Sequence, residues 1–312
     1  MTGATGFIGS HLSARLVHEG AAVHAFVRPN GDRSRLSALS GAMRFWEGDI
    51  TDPVSLHAAF AGAEPDVVIH LAADTQVRRL GHGWAGVDRS IRVNLQGTMM
   101  VLQATLEAGY PASTFIRAGG LEEYGDGPTP YREDQREQPI SPYSASQVAA
   151  THYCEMMQRG TDTRIVTLRP ALVYGPGQSN DFFIPSLITS CLRGIDFDMS
   201  AGIQRRDLLY IDDLIDAFLF ALTGRTAQGI INVGHGVEHS IRDVAELIVR
   251  LTGTTARLRI GSRPERERDL QHLVTTTGRA EKLLGWRAQV ELPEGIARTI
   301  RWYNGAPVMA AQ

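Results

Sequence analysis

Met1-Thr2-Gly3-Ala4-Thr5-Gly6-Phe7-Ile8-Gly9-Ser10-His11-Leu12 is the stretch on which the fold turns. Gly3 permits a turn that a Cβ would block, and Gly6 lets a pyrophosphate come close to the backbone. Gly9 lets the following helix sit against a sheet, with its first N–H groups, from Phe7 and Ile8 onward, aimed at the phosphates. An amphipathic run, Ile8 to His18, and an apolar strand-like run, Ala21 to Val27, follow, so the helix and the second strand of a βαβ unit are present. The strand before the turn is reduced to its last residue or two, which reads as a start placed inside that strand.

Downstream, strand-like and helix-like segments alternate. The patterning predicts strands at Ala21–Val27, Met43–Trp46, Val67–Leu71, Thr114–Arg117 and Arg164–Leu168, with helices at Ile8–His18, Val54–Ala61, Trp84–Glu107 and Tyr143–Gln158. Alternation of this kind implies a doubly wound α/β fold with a parallel sheet. After Arg169-Pro170, loops punctuated by Gly and Pro separate helices at Phe183–Leu192, Ile211–Leu222, Ile241–Leu251 and Glu291–Trp302. We therefore expect a Rossmann-type dinucleotide-binding domain over residues 1–169. A smaller, mainly substrate-binding lobe over 170–312 would send segments back to it.

The chain has 312 residues, 43% apolar and 21% charged, with a net charge of −3. That balance gives no footprint for nucleic acid or an anionic membrane. No apolar run approaches the ~20 residues that span a bilayer. Cys154 and Cys191 stand in apolar surroundings without metal-ligand spacing, as expected of buried thiols in a reducing, cytoplasmic compartment, and no metal site is expected.

Several further motifs converge. They are Gly48-Asp49-Ile50-Thr51-Asp52, His70-Leu71-Ala72-Ala73, Asn94-Leu95-Gln96-Gly97-Thr98, Tyr143-Ser144-Ala145-Ser146-Gln147, Arg169 to Gly177, Arg206 to Asp213 and Leu284-Gly285-Trp286. Together they resemble the extended short-chain dehydrogenase/reductases, in the branch of NAD-dependent epimerase/dehydratases acting on nucleotide sugars. The resemblance implies that Gly3, Gly6 and Gly9 carry the pyrophosphate and that Asp49 and Ile50 hold the adenine. It also implies that Leu71, Ala72 and Ala73 let the chain approach the cofactor and that Asn94 shapes the helix beside the site. Arg206 would meet the substrate diphosphate, a task suited to a guanidinium, and Arg268 would assist. Thr75, Glu123, Phe182 and Phe183 would complete the substrate side.

Family chemistry rests on a Ser/Thr, a Tyr and a Lys. Tyr143 is in place, but Gln147 stands at the lysine position and Gly120 at the Ser/Thr position. A tyrosine has a pKa near 10, and a neutral amide cannot lower it by charge. Tyr143 should therefore rest protonated at neutral pH, ready to donate, as keto-sugar reduction requires. Glu122 or Glu123 could replace the lost polar contacts, and Leu121 stands where a 4,6-dehydratase would carry its acid. The resulting expectation is an NAD(P)-dependent keto-sugar reductase or C4 epimerase acting on a nucleotide-diphosphate sugar. A non-catalytic protein binding the same ligands is the alternative, with dehydration behind both. Arg28, with Arg33 or Arg35, is placed to meet a 2′-phosphate, which favours NADP over NAD. Apolar residues beyond one face of two helices (Met99, Met100 and Leu102; Val148, Tyr153 and Met156) point to a homodimer.

Overall fold

The computed structural model describes residues 1–75, 83–109, 112–224, 226–265 and 269–305. Five parallel strands come first: β1 (Val23–Val27), β2 (Met43–Glu47), β3 (Val67–His70), β4 (Thr114–Ala118) and β5 (Arg164–Pro170). Helix α1 (Phe7–His18) precedes them, and between them run α2 (Pro53–Ala63), α3 (Trp84–Ser90), α4 (Gly97–Glu107) and α5 (Pro142–Gln158). The later part of the chain adds β6 (Leu172–Tyr174), β7 (Phe197–Met199), β8 (Arg205–Tyr210), β9 (Gly229–Val233), β10 (Glu238–Ser240), β11 (Leu258–Ile260) and β12 (His272–Leu273). Its helices are α6 (Phe183–Leu192), α7 (Ile211–Thr223), α8 (Ile241–Thr252), α9 (Gly278–Leu284) and α10 (Leu292–Gly305).

In the main sheet β1 pairs with β2, and β3, β4, β5 and β9 pair in that order, all parallel. Thr2 joins the two groups by bridging Phe26 on one side and His70 on the other. Its N–H donates to the Ile69 carbonyl at 2.9 Å, and the Met1 carbonyl accepts from the Phe26 N–H at 2.8 Å. The strand order thus reverses at Thr2, and a dinucleotide sheet binds its ligand at such a switch point. β9 comes from the later part of the chain yet completes this sheet. A second sheet, β10-β8-β12 with β6 also on β8, is built from the later part of the chain.

Local chemistry sets the helix starts. Asp52 accepts from the Val54 and Ser55 N–H groups with Pro53 at the first helical position of α2, and Ser141 caps α5 ahead of Pro142 in the same way. One apolar cluster runs from Leu12 through Ile116, Leu168, Phe218 and Ile231 to Ile296, so helices on both faces share a core with the second sheet. The expected helix Trp84–Glu107 forms, but Ile91–Gln96 within it winds as a π-helix. Leu102, expected on an outer face, is buried in a second cluster with Val101, Phe115 and Cys154, while Tyr153 and Met156 on α5 are exposed. No helix among the described residues is long and apolar enough to cross a membrane.

Candidate functional site

The turn before α1 is built by close approach. Gly3 has φ +71°, and a Cβ there would stand 2.6 Å from the Leu71 carbonyl carbon and the Ala72 nitrogen. A Cβ on Gly9 would lie 2.0 Å from the Gly3 oxygen. Gly6 is exposed, and no side chain among the described residues caps α1. An uncapped helix start behind an exposed glycine fits a pyrophosphate.

The rim of this cradle is tied together by hydrogen bonds. Thr2 Oγ1 lies 2.8 Å from His70 Nδ1 and accepts from the Ala72 N–H at 3.2 Å. His70 Nε2 lies 2.9 Å from Thr98 Oγ1. Burial first, and the Arg117 charge second, push His70 down to about 3, so its ring is neutral. Asn94 sits in the π-helical segment. Its Oδ1 accepts from the Asp74 N–H at 2.7 Å, and its Nδ2 donates to Ser146 Oγ at 3.2 Å, binding the loop after β3 to α5. Such a segment displaces one residue from helical register, a device common at functional sites. Exposed Asp49 accepts at Oδ1 from the N–H and hydroxyl of Thr51, and Ile50 fills the space in front of Gly97. Leu71 and Ala72 are half-buried, whereas Ala73 and Thr75 are exposed.

Of the three arginines expected near a 2′-phosphate, Arg33 pairs with Glu47 and stacks over Phe45, and Arg35 donates to the Gly177 carbonyl. Arg28 is exposed at the end of β1 and, among the described residues, has no such partner.

The wall opposite the cradle has been rebuilt as a unit. β4 runs into Gly119-Gly120 and a 3₁₀ turn over Leu121–Glu123, which packs on α5. A Cβ on Gly119 would stand 2.1 Å from Glu123 Oε1, so the missing side chain is the room that the Glu123 carboxylate occupies. A Cβ on Gly120 would stand 2.7 Å from Glu122 Oε2, so the Glu122 carboxylate folds back over Gly120.

Glu123 is a correction to the expected substrate set. It is fully buried: Oε1 accepts from the Gly120 N–H at 3.1 Å, while Oε2 accepts from the Thr151 hydroxyl at 2.7 Å and from Arg169 Nε at 2.9 Å. Arg169, also fully buried, reaches Glu137 at 2.7 Å and lies over the Tyr124 ring at 4.5 Å. Burial works most strongly against the Arg169 charge, but Glu123, Tyr124 and Glu137 together outweigh it and hold the guanidinium more firmly protonated than usual. A carboxylate consumed by a buried ion pair holds the wall together and is not available to a ligand.

Tyr143, Gln147 and Thr151 lie on successive turns of one face of α5, and all three are buried. Arg117, from β4, meets that face. Its Nη1 donates to Thr151 Oγ1 at 2.6 Å and its Nη2 to Gln147 Oε1.

On the substrate side, Arg206 is buried on β8, donating to Asp269 at 2.7 Å and to the Arg205 carbonyl at 2.8 Å. Its neighbour Asp207 accepts instead from the His235 and Gly236 N–H groups, each at 2.9 Å, and burial pushes its carboxyl up to about 6. Phe182, the exposed residue before α6, and Phe183, whose ring meets Phe197 edge-on, flank the same helix start. Arg268 lies outside the described residues.

Sequence reasoning passed over Arg117, Thr151, Ser146 and the Arg169–Glu137 pair. A single arginine inside the apolar strand Thr114–Ala118, covered on both faces, was the available signal for the first of them.

Residues 1–234 match the model of the NAD-dependent epimerase/dehydratase family. Across 97% of both chains the protein is 33% identical to the UDP-glucose 4-epimerase of Mycolicibacterium smegmatis. Two solved structures are similar over 97% of each chain. The UDP-glucose 4-epimerase of Thermotoga maritima with UDP-glucose has a TM-score of 0.88 at 26% identity. MoeE5 in complex with UDP-glucuronic acid and NAD has a TM-score of 0.83 at 30% identity. Cradle, switch point and matched sequence agree: the chain belongs to the NAD-dependent epimerase/dehydratase family.

Proposed function

We propose that the protein is an NAD(P)-dependent enzyme transferring hydride at a carbon of a nucleotide-diphosphate sugar, as a C4 epimerase or a keto-sugar reductase. The observation that carries this reading is the compensation at position 120, where the space of the absent hydroxyl is filled by Glu122 Oε2. Gly3, Gly6, Gly9, Phe7 and Ile8 would hold the pyrophosphate, Asp49 and Ile50 the adenine, and Ala72, Ala73 and Asn94 the approach to the nicotinamide. Arg206, with Phe182, Phe183 and Thr75, would face the substrate. When bound, the nicotinamide supplies or accepts the hydride.

Tyr143 passes a proton to the sugar oxygen when a carbonyl is reduced to an alcohol. The Glu122 carboxylate accepts a proton from an alcohol when the reaction runs the other way. An acid and a base on one wall serve both directions, which epimerisation needs, since it oxidises an alcohol and then reduces the ketone. Leu121 is fully buried and apolar, so dehydration lacks its acid at that position. Arg28 favours NADP on charge grounds, although NAD accompanies MoeE5.

The test is to incubate the protein with NAD and a panel of nucleotide-diphosphate hexoses, and separately with NADPH and their 4-keto forms. The expected result is a C4-inverted or reduced product. One observation favours a non-catalytic reading: Gln147, at the lysine position, commits its carbonyl to Arg117. Ligand-dependent rises in Tm without any product would support that reading.

A homodimer fits the surface as well. Tyr153 and Met156 on α5, with Trp84 and Ile91 on the neighbouring helical rod, expose large apolar side chains that a two-fold pairing would cover. Light scattering at micromolar concentration should give twice the chain mass. A cytoplasmic setting suits the two free, buried cysteines.

A further inference from the structure

Arg117 is a side chain that the proposed chemistry does not yet use. It is 1% exposed, yet it touches no carboxylate among the described residues. Its two terminal nitrogens bond the neutral Thr151 and Gln147, and its Nε has no partner. A buried guanidinium costs several kcal/mol unless its surroundings recover it, so one held by neutral groups calls for an explanation.

We propose that Arg117 is a positioning residue that fixes which way the Gln147 amide faces. A guanidinium has donors only, so the atom of Gln147 turned towards it must be the oxygen. The amide nitrogen is thereby turned away. Nε2 makes no hydrogen bond among the described residues, although Gln147 as a whole is only 3% exposed. A donor pair left open at the lysine position, one helical turn from Tyr143, is aimed to receive a ribose hydroxyl of the bound cofactor. The bond from Arg117 polarises that amide and strengthens it as a donor.

Arg117 also explains why the residue at 147 is neutral. An ammonium there would meet the guanidinium at hydrogen-bonding distance, two cations in a buried place. The positive charge of this wall sits on the strand, and the amide relays it. The same cation meets Thr151, whose hydroxyl donates to Glu123, so strand, helix and turn are held in one chain of bonds.

This inference rests on the cofactor-binding reading above, and the experiment separates the two. NADH affinity is measured by fluorescence titration for the native chain, Arg117→Met, Gln147→Leu and the double variant, with Tm recorded for each. If Arg117 acts through Gln147, each single change weakens NADH binding about tenfold, roughly one net hydrogen bond. The double variant is then no worse than Gln147→Leu alone. Losses that multiply to about a hundredfold, or an Arg117→Met chain that binds as tightly as native, overturn the proposal while leaving the cofactor reading intact. A native chain that binds neither NADH nor NADPH overturns both, and one that takes only NADPH is titrated with NADPH instead. Should Arg117→Met fail to fold, Arg117→Lys decides: it keeps a donor for Oε1, so affinity within about threefold of native supports the orienting role, and a loss as large as that of Gln147→Leu overturns it.

Discussion

The two walls of the candidate site have been kept in different ways. Around Gly3, Gly6 and Gly9 each residue stands where the family pattern places it, and each contact is local and backbone-made. Across the cleft, at the end of β4 and along α5, hardly a side chain is the expected one, yet the changes fit one another. Gly119 makes room for Glu123, Gly120 for Glu122, and Gln147 for Arg117. The first wall is preserved piece by piece. The second is preserved only as a set, so a lost family residue there does not by itself mean a lost site.

The sharpest way to break this comparison is Tyr143→Phe, which removes the hydroxyl proposed as the proton donor. Turnover should fall by about 10²–10⁴, with NADH affinity within a few-fold of native. A variant that turns over as fast as native removes Tyr143 from the chemistry, and with it the claim that the rebuilt wall still works.

Gly9→Ala tests the first wall, since its Cβ would press on the Gly3 oxygen at 2.0 Å with only backbone to give way. We expect a loss of at least about 3 kcal/mol in chemical denaturation. Gly119→Ser and Gly120→Ser then compare neighbours on the second wall. The first dislodges Glu123 from a buried ion pair and should cost about 3 kcal/mol. The second meets only the movable end of Glu122 and should cost less than about 1 kcal/mol while restoring a hydroxyl. Equal costs for the two serines would refute the coupled seating of the carboxylates.

A smaller effect concerns His70, which ties Thr2 to Thr98 of α4. Folded, its pKa is held down at about 3; unfolded, it returns to its ordinary value of about 6.5. Between these values the unfolded chain binds a proton that the folded one does not, so stability falls as pH falls. By pH 5 this amounts to about 2 kcal/mol relative to pH 7. His70→Asn should flatten that part of the Tm–pH curve; an unchanged slope would show that other groups set it. The mildest change is Arg28→Ala, expected to weaken NADPH about tenfold and NADH hardly at all. Equal effects on both would remove the basis for the NADP preference.

These contrasts also explain what could be read from the chain. The glycine turn, the first five strands and the helices between them follow from periodicity and turn chemistry, and α6 spans Phe183–Leu192 as expected. β8 escaped notice because Arg205-Arg206-Asp207 makes a buried strand look like a charged loop, its charges being satisfied by Glu238, Asp269 and backbone N–H groups. β7, β10 and β11 have three residues each, too few to show a period of two. The π-helical step at Ile91–Gln96 leaves no periodic mark. At the site, Gly120 and Gln147 were legible as departures from pattern. Arg117 was not legible as their complement, because a partner thirty positions away shows itself only when strand and helix are packed together.

The seat of Glu123 beneath Gly119 also bears on history and on engineering. With a side chain at 119 the carboxylate has nowhere to go, so along any lineage of folded intermediates that began with a side chain there, position 119 had to be emptied before a glutamate could settle at 123. Retracing that route residue by residue meets the same barrier from the other side. A designer wishing to place a side chain at 119 must exchange 119 and 123 in one step, which leaves Arg169 with Glu137 as its carboxylate partner.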